Sequence, residues 1–210
     1  MIKKWTKFLF FVSAFSSFCF AADWVKINEE EGVSVYEKNV TGSNLVAFKG
    51  VTVFDDPIEK ILWVLKDVEH RKDWIQWFLK GDTLEKRGPF QQVIYQAIDS
   101  PWPVSDRDMV FLSTASKKPN GNIQIDMKSI EFEGAPKTVG VRIQLNFSKY
   151  VFRPLKDGKT EVTLEIHTDP KGWIPKWLVN IVQRKYPIKL FVALKKQVKK
   201  SFVGRSPVPQ

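Results

Sequence analysis

Cysteine is almost missing from this chain of 210 residues: Cys19 is the only one. A single thiol cannot close an intrachain disulfide, and a structural zinc held by several thiolates is excluded. Histidine is nearly as scarce, with only His70 and His167. No phosphate-cradling glycine loop and no nucleophile elbow occurs. Acids stop at Asp169: from Lys171 to Gln210 the chain has ten basic residues and no acidic one. Beyond the first residues, no apolar run reaches the roughly 20 residues needed to span a bilayer, and there is no internal repeat or low-complexity tract.

The first residues, MIKKWTKFLFFVSAFSSFCFAAD, place Lys3, Lys4 and Lys7 before an apolar stretch from Phe8 to Phe20, with Ala21 and Ala22 after it. Basic start, short apolar middle and small-residue exit describe a secretory signal peptide over residues 1–21, cut after Ala21. The apolar stretch is too short for a spanning anchor. A lipoprotein reading through Cys19 is disfavoured by the bulk of Phe18. The expected destination is periplasmic or extracellular, and the mature chain is then cysteine-free. The formal charge of +10 is concentrated at the C-terminal end, since residues 22–170 hold 20 basic and 23 acidic residues.

Alternating apolar residues predict two strands, around Val33–Val35 and Leu45–Phe54, joined by the turn Thr41-Gly42-Ser43-Asn44. Asp56 as N-cap, Pro57 at the first helical position and an apolar face of Ile58, Ile61, Leu62, Leu65 and Val68 predict an amphipathic helix. A short second helix is expected through Trp74, Ile75 and Phe78 to about Gly81. Strands follow at Gln92–Ile98, Asp108–Ala115, Ile123–Met127, Val139–Phe147 and around Val162–Ile166, with turns at Lys118-Pro119-Asn120-Gly121 and Asp157-Gly158. Strict alternation implies an antiparallel sheet with one apolar and one wet face. A long helix over about Ile174–Phe202 closes the chain, interrupted by Pro187, with a frayed tail at 204–210. The pattern is α+β.

Two motifs carry a resemblance: Ser105-Asp106-Arg107-Asp108, after Pro101-Trp102-Pro103, and Gly172-Trp173-Ile174-Pro175-Lys176 before the long helix. With this order of elements, and with Trp74 after the first helix, residues 22–203 resemble a START domain, of the lipid-transfer family related to the steroidogenic acute regulatory protein. The resemblance implies a helix-grip fold, a curved antiparallel β-sheet wrapped around a long C-terminal α-helix, with a lipid-sized tunnel between. It implies no cofactor. Some sterol-carrying relatives have a charged pair inside the tunnel; the matching positions here, Ser113 and the acid-free strand Gln92–Ile98, lack it, which disfavours a sterol.

Arg107 has two readings, an ion pair with its flanking acids that pins the start of the strand, or a contact to a ligand head group. Trp102 is read as a lid residue or as packing for its own loop. The expected lipid-binding wall is Ile125, Ile143, Leu145, Leu164 and Ile166 from the sheet, with Trp177, Leu178 and Ile181 from the helix. Each is also an ordinary core position. His167, Glu165 and Asp169 could be grouped as a metal cluster, but polar-face residues of a strand are usually solvated, and no metal is expected. The function expected is binding, with possible transfer, of one lipid or other hydrophobic molecule by a monomer that contacts anionic membranes through its basic last helix. The alternative is a polyketide cyclase-like enzyme using the same cavity. Nucleic acid is not an expected partner, because the basic helix needs its apolar stripe for the core.

Overall fold

The structure is a computed structural model that describes residues 23–210; within the last helix, the side chains of residues 176, 177 and 179–183 lie outside the described set. The signal-peptide segment also lies outside it. Ten strands form one sheet: β1 (Val25–Glu30), β2 (Val33–Asn39), β3 (Val46–Phe54), β4 (Phe78–Lys86), β5 (Gln91–Ile98), β6 (Arg107–Lys117), β7 (Ile123–Ser129), β8 (Val141–Arg142), β9 (Gln144–Pro154) and β10 (Thr160–Asp169). Their order is β1-β2-β3-β10-β9-β7-β6-β5-β4, antiparallel throughout, apart from β8, which pairs in parallel with the start of β6. Among the described residues two α-helices complete the fold, α1 (Ile58–Lys66) and α2 (Lys176–Val198). This is the expected α+β helix-grip arrangement.

The main core lies where α1 and α2 cover β2, β3, β7, β9 and β10. Ile61 and Leu62 of α1, Phe191, Leu194 and Val198 of α2, and Val33, Phe54, Phe152 and Val162 of the sheet are buried there. Gly50 makes the close crossing possible. A Cβ on it would lie 2.8 Å from the Phe191 ring and 3.2 Å from the Pro187 Cβ, so only hydrogen leaves α2 room over β3. Pro187, expected as an interruption, sits buried inside the helix at this crossing.

Several expectations change. Asp56 makes no cap; its carboxylate pairs with Lys199 at 2.8 Å and its carbonyl accepts a bond from Thr160 Oγ1. The second helix is only a 3-10 turn, Arg71–Asp73, and Phe78 already begins β4. Pairing with β5 overrides the turn tendency of Gly81-Asp82 within β4. The strand expected over Val139–Phe147 is divided. Residues 141–142 belong to β8, and β9 has an irregularity where Phe147 pairs with His167 but Leu145 pairs with Thr168. The extra residue, Asn146, reverses the alternation, so Phe147 packs on His167 while Leu145 faces inward. The outer face is not uniformly wet either. Val93, Tyr95, Ala97 and Val110 form a second apolar cluster covered by Ile130, Phe132, Ala135 and Val139 of the β7–β8 connection. The tail folds back on α1: the Ser206 N–H donates to the Glu59 carbonyl, Val208 joins the core, and Phe202 stacks on His70 at 4.3 Å.

Candidate functional site

A cavity of about 560 Å³ lies between the concave sheet and the two helices, within the usual range of small-molecule pockets. Its wall follows from strand alternation. Ile94 and Gln96 of β5, Met109, Phe111, Ser113 and Ala115 of β6, Ile125 and Met127 of β7, Leu145, Ser148 and Tyr150 of β9, and Leu164, Ile166 and Thr168 of β10 point inward. Leu65 near the end of α1, and Tyr186 and Leu190 of α2, meet them from the other side. Toward the β4–β5 hairpin the lining becomes exposed at Lys86, Gly88 and Pro89, beside the half-buried Lys66. There Lys66 lies 5.3 Å from the Phe90 ring centre and donates to the Pro89 carbonyl.

Of the residues singled out in the sequence, Ile125, Leu145, Leu164 and Ile166 lie on this wall. Ile143 does not. Its N–H bonds the Asp108 carbonyl beside β8, and its side chain lines a smaller hollow of about 450 Å³ on the opposite face with Val110 and Phe132. Leu178 is buried but is not among the described wall residues. The side chains of Trp177 and Ile181 lie outside the described residues.

Arg107 is neither in the cavity nor in an ion pair. It is buried, and its guanidinium donates to four backbone carbonyls: Ser105 at 2.6 Å, Pro170 at 3.3 Å, and Lys171 and Trp173 at 3.4 Å. It therefore ties the β5–β6 loop to the segment that leads into α2, joining the two motifs read from the sequence. Burial lowers its guanidinium from the ordinary value. The flanking acids work elsewhere: Asp106 accepts from the Ser100 N–H, and Asp108 pairs with Arg142. Trp102 on one of the tied loops is 90% exposed, and Trp173 on the other is 70% exposed. Neither packs against its own loop.

The histidines are structural in their contacts. His70 Nδ1 lies 2.7 Å from Asp67, and His167 is buried between Asn146 and Ser43. Glu165 pairs with Lys149 and Asp169 with Lys171. Among the described residues no three His, Cys, Asp or Glu side chains gather to hold a metal.

Sequence reading missed the polar corner of the cavity. Arg71 is only 4% exposed and lines the cavity from the 3-10 turn. One guanidinium nitrogen, Nη2, donates to the Leu65 carbonyl at 3.3 Å, while Nη1 is buried without a partner. The indole N–H of Trp74, also on the wall, is buried without a partner as well. Tyr150 and Tyr186 complete this corner, and burial pushes both phenols up from their ordinary pKa. Burial also lowers the Arg71 guanidinium, with the nearby Asp67 charge working the other way. Arg71 stays protonated at neutral pH. The available signal was an arginine beside a tryptophan in a segment too short for the helix assigned to it.

The comparisons with known proteins agree with this geometry. The START domain profile matches residues 20–201. An uncharacterized protein of Pseudomonas aeruginosa is 32% identical over 160 residues, which cover 76% of this chain and 79% of that one. The bovine phosphatidylcholine transfer protein is 27% identical, with 76% of each chain covered. A crystal structure of a STAR-related lipid transfer protein fragment from Xanthomonas axonopodis superposes with a TM-score of 0.74 at 27% identity, covering 84% of this chain and 99% of the fragment. A curved antiparallel sheet gripping a C-terminal helix, matched along nearly the whole described chain, makes this protein a member of the START domain family.

Proposed function

We propose that the protein carries one lipid or lipid-like molecule in the cavity beneath α2, and that α2 closes over it. The observation that carries this reading is the cavity itself: about 560 Å³, walled mainly by apolar side chains of five strands and roofed by Tyr186 and Leu190. An acyl chain moved there from water gains about 0.8 kcal/mol for each buried methylene. The relatives named as lipid transfer proteins support transfer as well as binding. The wall includes no histidine, cysteine or carboxylate among the described residues, so it favours holding a ligand over transforming one.

In this reading the protein acts after export, as a monomer, and docks transiently on membranes. Trp102 and Trp173 support docking at the end of the sheet where Arg107 ties their loops together, because exposed indoles partition to the membrane interface. Exposed Lys185, Lys189 and Lys196 on α2, with Lys200 just beyond its end, supply charge attraction to anionic head groups. Native mass spectrometry of the purified protein, followed by extraction of its cargo, tests the reading. One lipid per chain is the expected result. A protein that remains empty after incubation with mixed lipid vesicles would end it.

A further inference from the structure

Resting on the docking part of that reading, we infer that both edge strands of the sheet, β1 and β4, enter the surface of an anionic membrane, so that the protein stands on it end-on with the far end of α2 held clear. The observation is where the exposed apolar side chains fall. Among the described residues seven large hydrophobic side chains are exposed, and five of them, Val25, Leu45, Leu79, Trp102 and Trp173, lie at one end of the sheet. Strand pairing places them there. Val25 opens β1 opposite Glu37, and Leu45 precedes Val46, which pairs with Asn39 at the end of β2. Asp169 ends β10 opposite Gln144, the first residue of β9, and leads on to Trp173. Ile98 ends β5 opposite Arg107, which follows the Trp102 loop, and opposite Phe78, the neighbour of Leu79. Phe48 with Ile166, Met127 with Ser148 and Phe111 with Ser129 carry the same end across the strands between. The five thus form a rim from one edge of the sheet to the other. Val53, near the end of β3, and Phe202, beyond the end of α2, lie away from it.

Exposed apolar side chains scattered singly need no explanation, whereas their gathering at one end marks a contact surface. The charges beside the rim select the partner. Trp24, next to Val25, has the Lys49 ammonium 4.7 Å and the Lys38 ammonium 5.2 Å from its ring centre, and Lys49 also lies 4.7 Å from the Tyr36 ring centre. Neither lysine makes an ion pair among the described residues, because Glu165, opposite Lys49, is taken by Lys149 at 2.8 Å. Lys80, beside Leu79 on the other edge strand, is exposed and rests on the Tyr95 ring instead of on an acid. Two copies of the chain meeting through this rim would bring these cations together. An anionic bilayer takes the indoles and aliphatic side chains into its interface and sets head groups against the lysines. The lysines of α2 then act by attraction from a distance. The helix begins just beyond Trp173 and runs away from the rim to Lys199, which pairs with Asp56 just past the far end of β3.

The test maps which side chains meet lipid. In a Cys19→Ser chain, one cysteine at a time is introduced by Val25→Cys, Leu79→Cys, Trp102→Cys or Lys196→Cys and carries a polarity-sensitive fluorophore. Vesicles of phosphatidylcholine with phosphatidylglycerol are expected to shift the emission to the blue at positions 25, 79 and 102 and to leave it unchanged at 196. A shift at 102 alone overturns the inference and leaves docking through the tied loops standing. A shift at 196, or at only one of 25 and 79, also overturns it, because the molecule would then lie on α2 or on one edge. A shift at 25 or 79 that grows with protein concentration in the absence of vesicles assigns the rim to a second copy and overturns it as well. No shift at any position overturns both the inference and the docking reading. Unlabelled Val25→Thr with Leu79→Thr provides a second measurement, since threonine keeps strand propensity while removing most of the apolar surface. Its unfolding midpoint should match the parent, and its vesicle association should be weaker by about tenfold. Association equal to the parent's would overturn the inference.

Discussion

Arg142 grips Asp108 side-on, with Nε 2.8 Å from Oδ1 and Nη2 3.2 Å from Oδ2. The carboxylate is completely buried and also accepts the Val139 N–H and the Tyr95 hydroxyl. Burial alone would raise the Asp108 carboxyl, but the Arg142 pair and the Val139 bond outweigh it and hold the group below the ordinary range. The charge at the start of β6 thus divides its labour: Asp108 fastens β8 on the outer face, while Arg107 fastens the loops beyond the sheet end. Neither reaches the cavity.

Arg142→Ala should therefore cost about 2 kcal/mol, set below the usual figure for breaking a buried pair because the Arg142 side chain remains partly exposed. The contribution of Asp108 is complete above its ordinary pKa, near 3.9, and is lost as pH falls through its lower folded value. Urea unfolding across acidic pH should show the variant unfolding at higher pH than the parent. Coincident acid transitions would remove the pair from the account of stability.

At Gly50 even one methyl group meets the Phe191 ring at 2.8 Å. Gly50→Ala should destabilise by about 1–3 kcal/mol through overpacking. It should also loosen α2, measured as faster amide exchange in residues 188–194. Unchanged exchange would mean that the helix does not depend on this crossing.

Ser113 stands on the cavity wall, paired in register with Gln92 and Met127. Ser113→Phe places an apolar ring in the empty space. Thermal stability should hold or rise, as with other cavity-filling changes, while lipid occupancy measured by mass spectrometry falls. Full occupancy in the variant would place the cargo elsewhere.

Trp102→Ala with Trp173→Ala should leave the unfolding free energy within about 0.5 kcal/mol, since both rings are solvent-exposed. Flotation with anionic vesicles should show clearly weaker association. Equal flotation of variant and parent would shift docking to the lysines of α2. Lys199 is a poor choice there, because it is paired with Asp56.

Most strands were legible because their alternation has period two. Val33 with Val35, Ile123 with Ile125, and Val162 with Leu164 face the core as read. The turn at Lys118–Gly121 was legible from its proline and glycine, and Gly121 takes the left-handed conformation that glycine favours. β1 was missed because it is an edge strand of largely polar, exposed residues. β4 was missed because only its pairing with β5 makes it a strand. On β5 the inward residues Gln92 and Gln96 are polar and the outward Val93 and Tyr95 apolar, so the side facing the cavity could not be read from hydropathy.

Local pattern thus determined the α+β class, the long last helix, the concentration of positive charge in the C-terminal segment and much of the apolar wall, because periodicity and composition act between near neighbours. Tertiary structure decided the rest. It carried Arg107 to the carbonyls of residues 170–173, turned Ile143 away from the cavity, and left Arg71 buried beside an apolar space with a donor unused. These depend on which distant backbone groups and charges become neighbours when the sheet curves, and the desolvation that gives an unpaired charge its meaning exists only after folding.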